Sequence, residues 1–257
     1  ASKNSIPVPA YSLFSKYSES NQPPQFIAWV NQYADQIEHA ILANPTNEKA
    51  ANEWKRLLTK NHNSLQPLSK EKSVEPMLLS NWDQGNYYNQ MCPYDPAGPA
   101  DHCYTGCVAT ALGQLCEYFR WPENGTGSYS YEHPDYGTIS ANFEETYYRW
   151  NEMTNVVSEP NLAVAELLFH LGVSVDMDYG PDGSGMYNHK AAYTMRTHFK
   201  YAPETEYLYR DSTNLDWDST VLAHLNKGVP MYYAGWSVPN LYGHAFIVDG
   251  YQTEEYF

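Results

Sequence analysis

Two residues of this sequence place a nucleophilic and a basic side chain in settings that suit covalent catalysis. Cys107 follows a glycine and opens a segment whose apolar residues have helical spacing. At such a position, unpaired backbone N–H groups and the positive end of the helix dipole stabilise a thiolate. His244 begins an apolar segment typical of a strand, and Gly243 before it leaves the imidazole open to a neighbouring helix end. The pair predicts attack by a thiolate with an imidazole as general base.

Each of these residues, taken alone, also has an ordinary structural interpretation. A free cysteine is often a small buried core residue, and a single histidine is often a hydrogen-bonded structural one. Together they say more, because a helical cysteine followed about 130 to 150 residues later by a histidine on a strand is the papain-type arrangement. Gln84, in a loop before the helix, adds an amide N–H for an oxyanion hole with the Cys107 backbone N–H, although a lone loop glutamine is usually just solvated.

Periodic apolar residues indicate the elements that must position these side chains. Helical spacing runs over residues 107–119, 161–171, 189–199 and 217–225. The composition of residues 230–236 and 244–251 predicts two strands, antiparallel around a turn. We also expect Gly172 to cap the second helix and the alternating residues 173–177 to form a short strand.

The first 73 residues differ in character from the rest. Residues 26–42 and 47–58 have helical apolar spacing and predict a helical hairpin. Residues 59–73 are polar and basic with no apolar period, which predicts an exposed linker and a site of proteolysis. The sequence therefore predicts two parts, residues 1–73 and residues 74–257.

Charge and composition exclude several classes of partner. Fifteen Lys and Arg stand against thirty Asp and Glu, and the formal net charge of -15 repels phosphate backbones and anionic lipid. No run approaches the roughly 18 consecutive apolar residues of a membrane-spanning helix. Neither nucleic acid nor a membrane is an expected partner.

Metal sites have weak support in the sequence. Four cysteines lie close together, at Cys92, Cys103, Cys107 and Cys116, but their spacing differs from that of zinc sites. A disulfide between Cys92 and Cys103 remains an alternative. Asp176 and Asp178 would share one face of the predicted strand, but too few ligands accompany them for calcium. We interpret the two aspartates as a polar edge beside a substrate groove.

Three motifs, in order along the chain, resemble the streptopain family of bacterial cysteine peptidases, also called family C10. Residues 105–111, Thr-Gly-Cys-Val-Ala-Thr-Ala, resemble its nucleophile helix. Residues 243–251, Gly-His-Ala-Phe-Ile-Val-Asp-Gly-Tyr, resemble its histidine strand. Residues 175–181, Val-Asp-Met-Asp-Tyr-Gly-Pro, ahead of Ser184 and Gly185, resemble its substrate-pocket loop. The likeness covers nearly the whole chain.

The resemblance implies an α+β, papain-like cysteine peptidase fold, with the nucleophile helix in a helical part and the histidine strand in an antiparallel sheet. The C-terminal part of a pro-region would precede it. The implied protein is a secreted bacterial cysteine endopeptidase made as an inactive precursor. Cys107 is then the nucleophile, His244 the general base and Gln84 the oxyanion donor. Its partners would be protein or peptide substrates and its own pro-region as inhibitor, and no cofactor is implied.

The resemblance and the residue types together predict where substrate binds. We expect Met177, Tyr179, Ser184, Gly185 and Gly243 to contact the substrate. Methionine and tyrosine would offer adaptable apolar surface beside flexible glycines, which suits a subsite for an apolar side chain.

Members of the streptopain family continue past the histidine strand into a Trp- and Gly-rich segment that shields the imidazole, and their pro-regions are longer. We therefore expect a further part of the pro-region upstream of this chain. The Trp- and Gly-rich segment is expected either in a longer precursor or in another chain, or it has been lost, and in the last case these residues would lack full activity. Two other classes of function share some of these features. One is a noncatalytic homologue or pro-region fragment that acts as a peptidase inhibitor or peptide-binding module. The other is an amidase or transglutaminase-like acyl transferase, which resolves the same thioester with an amine.

Overall fold

A computed structural model of the chain describes residues 73–237 and 243–252, together with four isolated helical residues, Ala34, Ile37, Glu38 and Leu42. The chain divides into two compact units, residues 1–68 and residues 69–257. The four isolated residues lie within the first helix predicted from the sequence. The predicted second helix, residues 47–58, and the predicted linker up to residue 72 lie outside the described residues.

Within the described residues, the second unit contains four α-helices and six short strands. The helices are α1 (Cys107–Phe119), α2 (Leu162–Ser174), α3 (Lys190–Thr197) and α4 (Trp217–Leu225). The strands are β1 (Ser73–Val74), β2 (Ser128–His133), β3 (Gly137–Asn142), β4 (Met231–Trp236), β5 (Gly243–Val248) and β6 (Tyr251–Gln252). They form three antiparallel pairs, β1 with β6, β2 with β3, and β4 with β5. Ser73, placed by sequence in the linker, is therefore already part of a strand.

Helix α1 is central, because it packs against both α2 and β5. The two helices approach closely at Gly113, where an added Cβ would lie 2.4 Å from Leu168 Cδ2. Leu112, Leu167, Leu168 and Leu171 are buried at this contact, and burying each such side chain stabilises the fold by about 1.5–3 kcal/mol. The packed helices hold the start of α1 firmly against the end of the β4–β5 pair.

The end of α2 differs from the sequence-based prediction. The helix continues through Gly172 to Ser174, so Gly172 is not a cap and residues 173–177 do not form a strand. Glycine is needed at position 172 for space, because a Cβ there would lie 2.2 Å from the Tyr179 Oη. Asp176 has a φ of 53°, so the shared strand face predicted for Asp176 and Asp178 is also wrong.

The carboxyl-terminal strands follow the prediction closely. β4 and β5 are antiparallel, with Gly235 opposite His244 and Ala234 opposite Ala245. The β2–β3 hairpin was not predicted, although its serines and tyrosines alternate along β2. Over the described residues, no helix has the length and apolar character that crossing a membrane requires.

Candidate active site

Cys107 is the first residue of α1, and the residue before it has an unusual backbone. Gly106 has a φ of 86°, a value that residues with a side chain rarely adopt. A Cβ at Gly106 would lie 2.7 Å from the Met177 Sδ and 3.2 Å from the Ser184 carbonyl oxygen. Only glycine therefore lets the chain turn into α1 at this point. The turn leaves the Cys107 thiol at the amino end of the helix, where backbone N–H groups are unpaired.

The Cys107 thiol is partly exposed, whereas Cys92, Cys103 and Cys116 are buried, and all four cysteines are free. Strand β5 passes beside the thiol, and the Ala245 backbone N–H donates to the Cys107 Sγ over 3.4 Å. His244, the preceding residue, is exposed. Cys107 and His244 line one cavity of about 440 Å³. The structure therefore brings the predicted nucleophile and the predicted base together.

Gln84 lines the same cavity. Its backbone carbonyl accepts a hydrogen bond of 3.0 Å from the Thr105 N–H, two residues before Cys107. Its own N–H donates to the Asp83 carboxylate over 2.6 Å. Among the described residues, none forms a hydrogen bond with the Gln84 side-chain amide. The loop of the predicted oxyanion donor is thus fixed to the start of α1.

The substrate-loop residues fall into two groups. Met177 and Tyr179 are 0% and 3% exposed, so they belong to the core and do not offer the substrate contact surface predicted from the sequence. Ser184 and Gly185 lie at the surface side of the loop, and Gly185 has open space around its Cα. The Ser184 hydroxyl donates to the Tyr104 carbonyl over 2.6 Å and accepts from the Gly180 N–H over 3.1 Å.

The loop is closed by a bridge between Asp178 and Gly185, whose backbone groups exchange hydrogen bonds of 2.8 and 3.1 Å. The aspartate side chains contact the protein itself. Asp176 forms an ion pair with Lys190, and the Asp178 Oδ1 lies 3.2 Å from the His133 Nε2. The two carboxylates thus have separate partners.

Two aromatic residues, Phe246 and Trp236, lie beside the His244 segment, and the sequence-based reasoning did not single them out. The rings of His244 and Phe246 lie 6.4 Å apart and nearly parallel. Gly243 lies under Trp236, whose Nε1 would be 2.8 Å from an added Cβ. Glycine at position 243 thus makes room for an indole. The position of Trp236 could have been predicted from the sequence, since this tryptophan ends the predicted strand that pairs with the histidine strand.

Burial sets the chemistry of the remaining thiols. It raises the pKa of Cys116 to about 12 and raises the pKa of Cys92 and of Cys103 above the ordinary thiol range. A thiolate forms poorly at these three positions near neutral pH. Among the four cysteines, Cys107 alone joins partial exposure to a helix start and a neighbouring histidine.

The comparisons with known proteins agree with this arrangement. The sequence profile of the Peptidase C10 family matches residues 82–257. The chain is 33% identical to the thiol protease/hemagglutinin PrtT of Porphyromonas gingivalis, over 73% of this chain and 22% of that protein. It is 30% identical to streptopain of Streptococcus pyogenes, over 73% of this chain and 52% of that protein. The chain thus spans about a fifth and about half of the lengths of these two relatives.

Two solved structures from Prevotella intermedia resemble the chain. Active interpain A is 35% identical, with a TM-score of 0.64 over 70% of this chain and 77% of that one. A prointerpain A fragment is 33% identical, with a TM-score of 0.67 over 92% of this chain and 72% of that one. These similarities confirm the predicted α+β cysteine peptidase fold. With the family match over residues 82–257, they establish that the chain belongs to the Peptidase C10 family.

Proposed function

We propose that the complete protein is a cysteine endopeptidase, made as an inactive precursor, that hydrolyses peptide bonds. The observation that carries the proposal is the convergence of Cys107 and His244 on one cavity, at the amino end of a helix. Catalysis by a thiol requires that the nucleophile, the general base and the donors that stabilise the oxyanion lie at one site. Family membership and the thiol protease relatives support the same activity.

In the proposed mechanism, His244 removes the proton of the Cys107 thiol, and the thiolate attacks the carbonyl carbon of the peptide bond. The π electrons move onto the carbonyl oxygen, where the Cys107 N–H and the Gln84 amide donate hydrogen bonds. As the oxyanion collapses, the C–N bond breaks and His244 gives its proton to the leaving amine. Water, deprotonated by His244, then attacks the thioester, which releases the carboxylic acid and regenerates the thiol.

The substitution that tests this proposal is Cys107→Ala in the complete, processed protein, assayed with a peptide substrate. We expect peptide hydrolysis to fall by about 10⁴-fold or more, because loss of a nucleophile removes the covalent pathway. His244→Ala should cause a similarly large loss. Cys116→Ala, on the same helix, is the matched control and should retain activity per folded molecule. Unchanged cleavage by Cys107→Ala would contradict the proposal and favour a noncatalytic homologue.

Substrate binding is proposed for the surface side of the loop that ends at Gly185, with Ser184 holding the loop against Tyr104. Gly243 is proposed to border the bound substrate beside His244. Because Met177 and Tyr179 are buried, we no longer propose that they contact the substrate. Instead, they are proposed to support the loop from the core and so to shape the subsite.

Residues 1–73 are proposed to be the C-terminal part of an inhibitory pro-region. The prointerpain A fragment covers 92% of this chain, whereas active interpain A covers 70%, and this difference supports an added pro-segment here. Limited proteolysis of the complete precursor, followed by amino-terminal sequencing and an activity assay, tests the proposal. We expect cleavage within residues 59–73 and a rise in activity. A precursor that resists cleavage but is fully active would contradict it.

We also propose secretion, which the streptopain-family resemblance implies. Immunoblots of culture medium and cell fractions of the producing bacterium test this point. The protein should be found in the medium, and retention of the whole pool in the cells would contradict it.

A further inference from the structure

A cluster of two threonine hydroxyls connects the loop of Gln84 to helix α1. Thr105 and Thr110 are buried, on either side of the Cys107 position. Their Oγ1 atoms lie 3.2 Å apart. The Thr105 Oγ1 lies 3.4 Å from the Gln84 carbonyl oxygen, and the Thr110 Oγ1 lies 3.5 Å from the Asp83 carbonyl oxygen. We call these two hydroxyls the threonine clasp.

The clasp has two protons for three contacts. Three arrangements of two hydrogen bonds are possible. Each hydroxyl donates to its own carbonyl, or Thr110 donates to Thr105 and Thr105 to the Gln84 carbonyl, or Thr105 donates to Thr110 and Thr110 to the Asp83 carbonyl. In each arrangement at least one hydroxyl of α1 or its preceding turn contacts the backbone of the Gln84 loop. The Thr105 N–H donates to the same Gln84 carbonyl over 3.0 Å.

The same loop is also fixed further upstream. The Gln114 Nε2 donates to the Ser80 carbonyl over 2.7 Å, and the Trp82 Nε1 donates to the Thr154 carbonyl over 2.8 Å. The backbone of residues 80–84 therefore runs along α1 with an anchor near each end. The end that carries Gln84 is the one held by the clasp, so its placement relative to Cys107 depends on Thr105 and Thr110.

We propose that Thr105 and Thr110 are positioning residues that set the distance between the Gln84 amide and the Cys107 thiol. The proposal rests on the peptidase function proposed above and extends it. Thr105 is 0% exposed, and Thr110 is 7% exposed at the wall of the cavity that Cys107 and His244 line, so we assign both hydroxyls a positioning role and not a contact with the substrate. They act through Gln84, whose amide must meet the oxyanion within a few tenths of an ångström to stabilise it. The clasp should therefore affect turnover and leave the intrinsic reactivity of the thiol unchanged.

The test uses Thr110→Val and Thr105→Val in the complete, processed protein, because valine keeps a similar shape and removes the hydroxyl. Each variant should lower kcat for a peptide by about threefold to tenfold, the range of one modest hydrogen bond, with little change in KM. The rate of Cys107 alkylation by iodoacetamide, which needs no oxyanion hole, should stay within about twofold. Thr110→Ser, which restores the hydroxyl, should recover the turnover.

Two controls separate positioning from a general loss of structure. Thr194 is fully buried on α3, and its hydroxyl has no hydrogen-bond partner within the described residues, so Thr194→Val should leave kcat unchanged. In a Gln84→Ala background, Thr110→Val should lower kcat by less than about twofold more, because the two residues act through one interaction.

Three results would overturn the clasp proposal. They are an unchanged kcat in both valine variants, an equal fall in the alkylation rate, or a full additional loss on top of Gln84→Ala. Any of them, together with inactivity of Cys107→Ala, would refute the clasp alone. Cleavage by Cys107→Ala would instead refute the proposed peptidase function.

Discussion

The two ends of helix α1 carry the same side chain in opposite settings. Cys107, at the amino end, is partly exposed and receives the Ala245 N–H. Cys116, in the carboxyl-terminal half, is 0% exposed and receives the Tyr201 hydroxyl over 3.9 Å. Burial raises the pKa of the Cys116 thiol to about 12. The comparison teaches that placement, and not the cysteine itself, decides between a nucleophile and a core residue.

Two histidines, His244 of β5 and His170 of α2, differ in exposure in the same way as the two cysteines. His244 is exposed beside Cys107, whereas His170 of α2 is buried among aromatic rings. The Tyr148 hydroxyl lies 3.2 Å from the His170 Nδ1. Burial lowers the pKa of His170 to about 4, so this ring remains neutral in the folded protein near pH 7.

The largest effect expected from this comparison is in thiol reactivity. In the native protein, iodoacetamide should alkylate Cys107 at least about 10³-fold faster than Cys116, because the buried thiol must wait for local unfolding. Mass spectrometry of peptides from timed quenches measures both rates. In about 6 M guanidinium chloride the two rates should converge. Similar rates in the native protein would contradict the proposed difference.

Substitution of Gly106, the residue before Cys107, should destabilise the fold at the amino end of α1. Gly106→Ala adds a Cβ against Met177 and Ser184 at a positive φ, and we expect it to lower the free energy of unfolding by about 2–4 kcal/mol. Gly127 has a φ of 63° with open space around it. Gly127→Ala is therefore the matched control and should cost about 1 kcal/mol. Urea unfolding measures both, and equal losses would show that the contact with Met177 is unimportant.

Acid should destabilise the fold through His170. In the unfolded chain, His170 has a pKa near 6.5 and is protonated below that pH. In the folded protein, the buried ring has a pKa of about 4 and is protonated only below that pH. Stability contributed by the neutral ring is therefore present above about pH 6.5 and lost as the pH falls to about 4, with a total near 3 kcal/mol. Urea unfolding of parent and His170→Leu proteins at pH 7 and pH 4.5 tests this. An equal loss in both would exclude His170 as the cause.

The smallest expected effect concerns substrate preference. Gly185→Leu adds a side chain in open space beside the loop, so it should leave folding intact and change relative kcat/KM values across a peptide library by about twofold to tenfold. Ser140→Leu, on the exposed face of the β2–β3 hairpin and outside the substrate loop, is the control. An unchanged cleavage profile for Gly185→Leu would show that this loop does not form part of the subsite.

The parts of the fold that the sequence predicted are those with a strong local pattern. Helix α1 begins and ends at the predicted residues, 107 and 119, because helical periodicity and the glycine before it agree. The strand expected at 173–177 was wrong, since five alternating residues do not outweigh helix packing that continues through Gly172. The helix expected at 189–199 is shorter, at 190–197.

The candidate site shows the same division. Cys107 and His244 were predicted because their residue types and spacing carry chemistry. The burial of Met177 and the hydroxyl pair of Thr105 and Thr110 were not predicted, since both depend on which elements meet in three dimensions. The motif 105–111 contains both threonines, but their contacts with the Gln84 loop depend on where that loop lies in the fold.

The most direct test of the central claim is labelling of the complete, processed protein with an irreversible peptidyl chloromethyl ketone, followed by mass-spectrometric mapping of the modified residue. We predict one equivalent of label on Cys107, activity lost in proportion to labelling, and labelling at least about tenfold slower in His244→Ala. Label on another residue, or full loss of activity with Cys107 unmodified, would contradict the assignment of Cys107 as the nucleophile.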